Sequence, residues 1–132
     1  SLGIFNPKIK NSCIGSEPIE CSDVKFDASD SKITLVLTAS GVSTTLPPDT
    51  YVEKIILSNP ISNDCGTLTI GLPNNAGLPN NAQTSVSCSS WNPSMTLKEG
   101  NKFSGTATIK YKLPGSTTFY TSKVIFSGTV EE

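Results

Sequence analysis

The 132-residue sequence contains no histidine and no arginine, and all ten of its basic side chains are lysines. Without histidine it cannot build a Ser-His-Asp or Cys-His catalytic unit, a His-ligated zinc or copper site, or an imidazole pH switch. Without arginine it lacks the planar fork that reads guanine edges and clamps phosphates, so nucleic acid is not expected as a partner. Charge is scarce as well: 16% of residues are charged, against roughly 25% in ordinary soluble domains. The net charge of −1 sets up no long-range field toward polyanions or an anionic membrane surface. No apolar run approaches the ~20 residues that cross a bilayer, so the chain as given is expected to be soluble, without membrane insertion. Helical periodicity of 3.6 residues is missing throughout. An enzyme is the least favoured class, because no nucleophile–base pair can be named. No catalytic residue, metal site or cofactor is expected.

What is present begins with four cysteines, Cys13, Cys21, Cys65 and Cys88. Their spacing fits neither a zinc ribbon nor a CxxC redox motif. An even count in a small chain rich in Ser, Thr and Asn points to two disulfides and an oxidising, extracytoplasmic compartment. Of the three connectivities the local one is favoured, with Cys13–Cys21 closing the loop Ile14–Glu20 and Cys65–Cys88 clamping a longer polar loop. Four reduced, buried cysteines are the alternative. The sequence opens at Ser1 with neither Met nor a signal peptide, and removal of a secretion signal is the expectation drawn from that.

The strongest structural signal lies between Lys102 and Val130. Phe103, Gly105, Ala107, Ile109, Tyr111 and Leu113 alternate with Ser104, Thr106, Thr108, Lys110 and Lys112, the period of two that a half-buried strand needs. Pro114-Gly115 supplies the turn. Tyr120, Ser122, Val124, Phe126, Gly128 and Val130 then form one face of a second strand, with Thr121, Lys123, Ser127 and Thr129 on the other. Shorter strands are expected at Cys21–Phe26, Lys32–Ser40, Tyr51–Ser58, Gly66–Leu72 and Thr84–Ser89, with a further one beginning at Met95 and Leu97. Between them lie turn and loop signals: Asp27–Asp30, the polyproline-like Leu46–Asp49, Asn59-Pro60, and Gly-Leu-Pro-Asn-Asn-Ala read twice from Gly71. Two copies are too few for a solenoid. The spacing predicts an all-β, immunoglobulin-like antiparallel β-sandwich of seven or eight strands over residues 11–132. Residues 1–10 read as an extended N-terminal arm carrying Leu2, Ile4, Phe5 and Ile9, with Pro7 restricting it to an edge position.

Several clusters invite a functional reading and each has a plainer one. Glu17, Glu20, Asp23, Asp27 and Asp30 are the densest carboxylates, but they fall on a loop, a strand and a turn, and no EF-hand loop is present. They read as a solvated face with turn-capping Asp rather than a calcium site. Trp91, Tyr51 and Tyr120 could form a sugar platform; packing of Trp91 beside a disulfide is the preferred reading. The lysines mostly face outward, and no buried lysine is picked out for an isopeptide bond. Asn92-Pro93-Ser94 is blocked as a glycosylation acceptor by its proline, and Asn11 and Asn63 are followed two residues later by Cys.

The run GTATIKYKLPGSTTFYTSKVIFSGTV, Gly105–Val130, resembles the sandwich domains of archaeal cell-surface appendages: the outer domains of archaeal pilins and archaellum components, and subunits of secreted filaments. The resemblance covers the hairpin and extends to the rest in style. It implies an extracellular structural protein at the cell surface. One departure stands out, since type IV pilins begin with a long apolar assembly helix and this chain has none. A filament built from it must use another joint, for which the apolar arm Leu2, Ile4, Phe5 and Ile9 is the available part, added as a strand to a neighbour's sheet. The expected partner is then the chain itself, in a homopolymer joined by donor-strand exchange, with other cell-surface proteins as further candidates. The alternative is a secreted or membrane-anchored binding module, an adhesin or appendage-anchor ectodomain, acting as monomer or dimer.

Overall fold

The computed structural model describes residues 11–41, 45–47, 49–59, 63–70 and 77–131. The arm residues Leu2, Ile4, Phe5 and Ile9 lie outside these, as do Pro48 and the first copy of the hexapeptide repeat. Among the described residues the chain forms ten strands and no helix. They are β1 (Ser12–Gly15), β2 (Ile19–Asp27), β3 (Lys32–Ala39), β4 (Tyr51–Asn59), β5 (Asn63–Cys65), β6 (Leu68–Thr69), β7 (Gln83–Cys88), β8 (Trp91–Asn92), β9 (Lys102–Tyr111) and β10 (Tyr120–Thr129). The larger sheet runs β1-β10-β9-β4-β5-β8, with β6 also paired to β4; the smaller runs β2-β3-β7. All strand pairs are antiparallel. With β2-β3-β7 packed on β10-β9-β4-β5, the connectivity is that of an immunoglobulin-like sandwich. The all-β sandwich expected from alternation is what forms. The ten strands exceed the expected seven or eight because four of them have only two to four residues.

The hairpin β9–β10 pairs in unbroken register from Tyr111↔Tyr120 to Lys102↔Thr129. Phe103, Ala107, Ile109, Val124, Phe126 and Val130 enter the core, where they meet Val24, Phe26, Ile33, Leu35 and Leu37 from β2 and β3. The Phe26 ring lies 6.5 Å from Phe103 and 6.0 Å from Phe126, centroid to centroid. Aromatic pairs at this spacing add to plain area burial. Inward alternation fades toward the hairpin tip, where Tyr111 is half-buried and Leu113 and Tyr120 are 41% and 43% exposed.

Both disulfides connect the two sheets. Cys13–Cys21 joins β1 to β2 with Cα atoms 5.5 Å apart, and Cys65–Cys88 joins β5 to β7 with Cα atoms 6.3 Å apart. The local connectivity favoured from sequence is thus the observed one. One bond lies along the β1/β2 side of the sandwich and the other along the β5/β7 side.

Two local expectations are corrected. The stretch expected as a loop before Cys21 contains β1, paired with Ser127–Val124 of β10. Its alternation is inverted, with Ile14 outward and Cys13 and Gly15 turned inward, so hydrophobic patterning hides it. The strand expected at Met95 and Leu97 does not form. Leu97 is buried, but its N–H donates to the Ser31 hydroxyl at 3.0 Å and not to a neighbouring strand. Ser31 adopts φ 50° and its carbonyl also accepts the Trp91 indole N–H at 2.8 Å.

Candidate functional site

Asn11, at the edge of the described domain, is held by both sheets. Its Nδ2 donates to the Val24 carbonyl of β2 at 3.0 Å, and its Oδ1 accepts from Thr129 N–H of β10 at 3.0 Å. Gly128 makes room for it, since a Cβ there would collide with the Asn11 side chain and lie 2.7 Å from the Phe26 ring. Asn11 therefore continues the line of β1 beside Gly128, at the pole of the sandwich where β10 ends. The side-chain amide nitrogens of Asn11 and Asn63 are both engaged, the latter to the Pro93 carbonyl. These are the atoms a glycan would need.

Among the described residues the edge strands are β2 and β7 of the smaller sheet and β1 and β8 of the larger, and they differ in chemistry; β8 has only two residues, Trp91 buried and Asn92 exposed. Strand β2 exposes Glu20, Ser22, Asp23 and Lys25, and β7 exposes Gln83, Ser85 and Ser87. Charged and polar edges resist pairing with another chain. Strand β1, at one end of the larger sheet, carries no charge, and its Ile14 is 65% exposed. Opposite Ile14 in register stands Ile125 of β10, 61% exposed. The row continues through Thr106 of β9 to Ile56 of β4, both half-buried. A β-branched row thus crosses the outer face of the larger sheet and ends at an uncharged edge. The alternation of β10 had placed Thr and Lys on that face, and the outward Ile125 was missed. The signal was available: an Ile between Val124 and Phe126 must point away from the core if they point in.

A second feature occupies the hairpin tip. Tyr51 meets Phe119 edge-on at 5.7 Å and 79°, and Tyr111 stacks on Tyr120 at 5.7 Å and 30°. The Lys112 ammonium lies 4.5 Å over the Phe119 ring and pairs with Asp49. Its hydrogen bond holds the Asp49 carboxyl below the usual aspartate value. Of the three residues considered for a sugar platform, Tyr51 and Tyr120 come to this tip. Trp91 is instead buried, paired in register with the disulfide residue Cys65.

The acidic residues disperse. Asp27 pairs with Lys25 and Asp30 with Lys32, each at 3.5 Å. No group of three or more Cys, Asp or Glu side chains converges among the described residues. None of the described lysines is buried, the setting an isopeptide bond would call for.

No family model, curated protein or solved structure matches the chain. Its class rests on its own fold: an all-β sandwich whose two sheets are cross-linked by two disulfides, suited to an oxidising, extracellular-type environment. No helix among the described residues is long and apolar enough to cross a membrane.

Proposed function

We propose that the protein is an extracellular structural subunit of a cell-surface, pilus-like filament, joined to its neighbours by exchange of the N-terminal arm. The observation that carries this reading is the pinning of Asn11 across both sheets. Among the described residues the buried core and both disulfides are drawn from Cys13 to Val130. Leu2, Ile4, Phe5 and Ile9 precede this core in sequence, and the chain enters it at a fixed point at one pole, Asn11. Apolar side chains on an extended segment are suited to burial against another subunit's sheet. A rigid, doubly cross-linked sandwich supplies the body of such a subunit. The test is electron microscopy and light scattering of the full-length chain, beside an Ile4→Asp/Phe5→Asp variant. Polymers from the first and not from the second are expected. A full-length chain that stays monomeric at high concentration in its native setting overturns the reading.

The hairpin tip favours a second reading, an adhesin-like binding module or appendage-anchor ectodomain. Leu113, Phe119 and Tyr120 are all exposed there, and Phe119 is fixed by Tyr51 and Lys112. Under that reading, Phe119→Ala weakens surface attachment and leaves self-association unchanged.

A further inference from the structure

We infer that the edge of β1, with the outward pair Ile14 and Ile125, is the surface that receives the N-terminal arm of a second copy of the chain. The inference rests on the filament reading and names its acceptor. Three observations select this surface. The edges of the smaller sheet carry charge on β2 and a run of Gln and Ser on β7, and β8 at the other end of the larger sheet has only two residues with Trp91 buried, whereas β1 offers Ser12, Cys13, Ile14 and Gly15. The two isoleucines are the most exposed large apolar side chains among the described residues, and they are cross-strand partners. An incoming strand would add its backbone hydrogen bonds to β1. It would also place one apolar side chain beside Ile14, lengthening the row Ile56–Thr106–Ile125–Ile14 by one position.

The arm has the reach and the chemistry to be that strand. Ten residues extend to about 33 Å, several times the length of the four-residue β1. Leu2 and Ile4 alternate as a half-buried strand requires, and residues 1–7 carry no charged side chain. An uncharged strand is matched to an uncharged edge. At Asn11 the chain runs beside Gly128 and Thr129 toward the end of β10. Pairing of the arm with its own β1 would need a reversal of the chain ahead of Asn11, and the experiment separates the two cases.

The experiment places a benzophenone side chain at Ile125 in the full-length protein and mixes isotopically labelled with unlabelled chains before irradiation. Mass spectrometry of the cross-linked peptides is expected to join residue 125 of one copy to residues 1–8 of another. In parallel, Ile14→Lys is expected to raise the concentration needed for assembly at least tenfold with the thermal transition retained. Cross-links from residue 125 to β1 of another copy, or to the arm of the same chain, overturn the inference. So do polymers that form without a cross-link to the arm; in that case the filament reading stands with a different acceptor. A chain that never self-associates removes the filament reading itself.

Discussion

Gly105 lies where β9 crosses close to both a neighbouring strand and the core. A Cβ there would run into the Ile56 carbonyl and stand 2.8 Å from Phe126 Cζ, so the position excludes any side chain. At the hairpin tip, Lys112 makes contacts of two kinds, to the Asp49 carboxylate and to the Phe119 ring face. Because the hydrogen bond from Lys112 lowers the folded-state pKa of Asp49 from its ordinary value of 3.8, the sign of the pH effect follows. The unfolded state takes up a proton first as pH falls, so the contribution is complete above the unfolded pKa and is lost as pH drops through the lower folded one. The pair is partly exposed, with the Asp49 side chain at 49%, and solvent keeps the effect small. Asp49→Asn is expected to lower stability slightly near neutrality and to converge on the parent protein below pH ~4, so that its acid limb is flatter. Melting temperatures of both proteins across that range check this, and parallel acid limbs would count against the pairing.

Strands β9 and β10 are the longest elements, and their faces are sharply distinguished. Ile109 is fully buried and Phe126 is 1% exposed, while Thr108 lies half-buried on the outer face between Lys123 and Lys54 in register. Phe126→Ala or Ile109→Ala is expected to cost about 2–5 kcal/mol through lost burial and a residual cavity. Thr108→Ala should cost less than about 1 kcal/mol. Urea denaturation measures all three, and comparable losses would show the faces to be misassigned. The same alternation made these strands legible in the sequence, as it did Ile33, Leu35 and Leu37 in β3. It failed where side chains break the binary rule. In β1 the apolar Ile14 points outward, and its pairing partner is more than a hundred residues away in sequence. In β5 and β8 the inward positions are Asn63, Cys65 and Trp91, and a two- or three-residue strand has no period to detect. The apolar Leu97 suggested a strand, but a side-chain hydroxyl took the N–H a ladder would have used. Of the proposed interaction surface, the arm is read from the sequence alone, as an apolar stretch interrupted by Pro7, and lies outside the described residues. The β1 edge was not legible in the sequence, because its place beside β10 depends on the whole sandwich closing.

At the scale of the molecule, the two disulfides cross-link the sheets along opposite sides, which sets how the domain responds to reduction. Their sequence separations are 8 and 23. In the chain-entropy account, closing loops of these lengths contributes about 2.5 and about 3.4 kcal/mol. Together, at about 6 kcal/mol, they exceed the lower end of the 5–15 kcal/mol that separates folded from unfolded domains. Among the described residues the sheets are otherwise joined by packing, by side-chain bridges such as Asn11 and by the backbone hydrogen bonds of Glu131 with Phe26 and Ala28, so reduction should leave a marginal sandwich. The intact oxidised chain is expected to weigh four hydrogens less than its reduced form by mass spectrometry. Calorimetry with and without a thiol reductant should show the melting temperature fall by roughly 20 °C or more. Ala at both Cys65 and Cys88 should cost more than Ala at both Cys13 and Cys21, in keeping with the longer loop. The larger loss also has a structural cause, since Cys65 and Cys88 are 4% and 2% exposed within the core, whereas Cys13 and Cys21 are half-buried at its margin. A reduced protein that melts within a few degrees of the oxidised one would mean that packing alone holds the sheets. The oxidising compartment would then lose its structural argument, because the fold would be equally at home where thiols stay free.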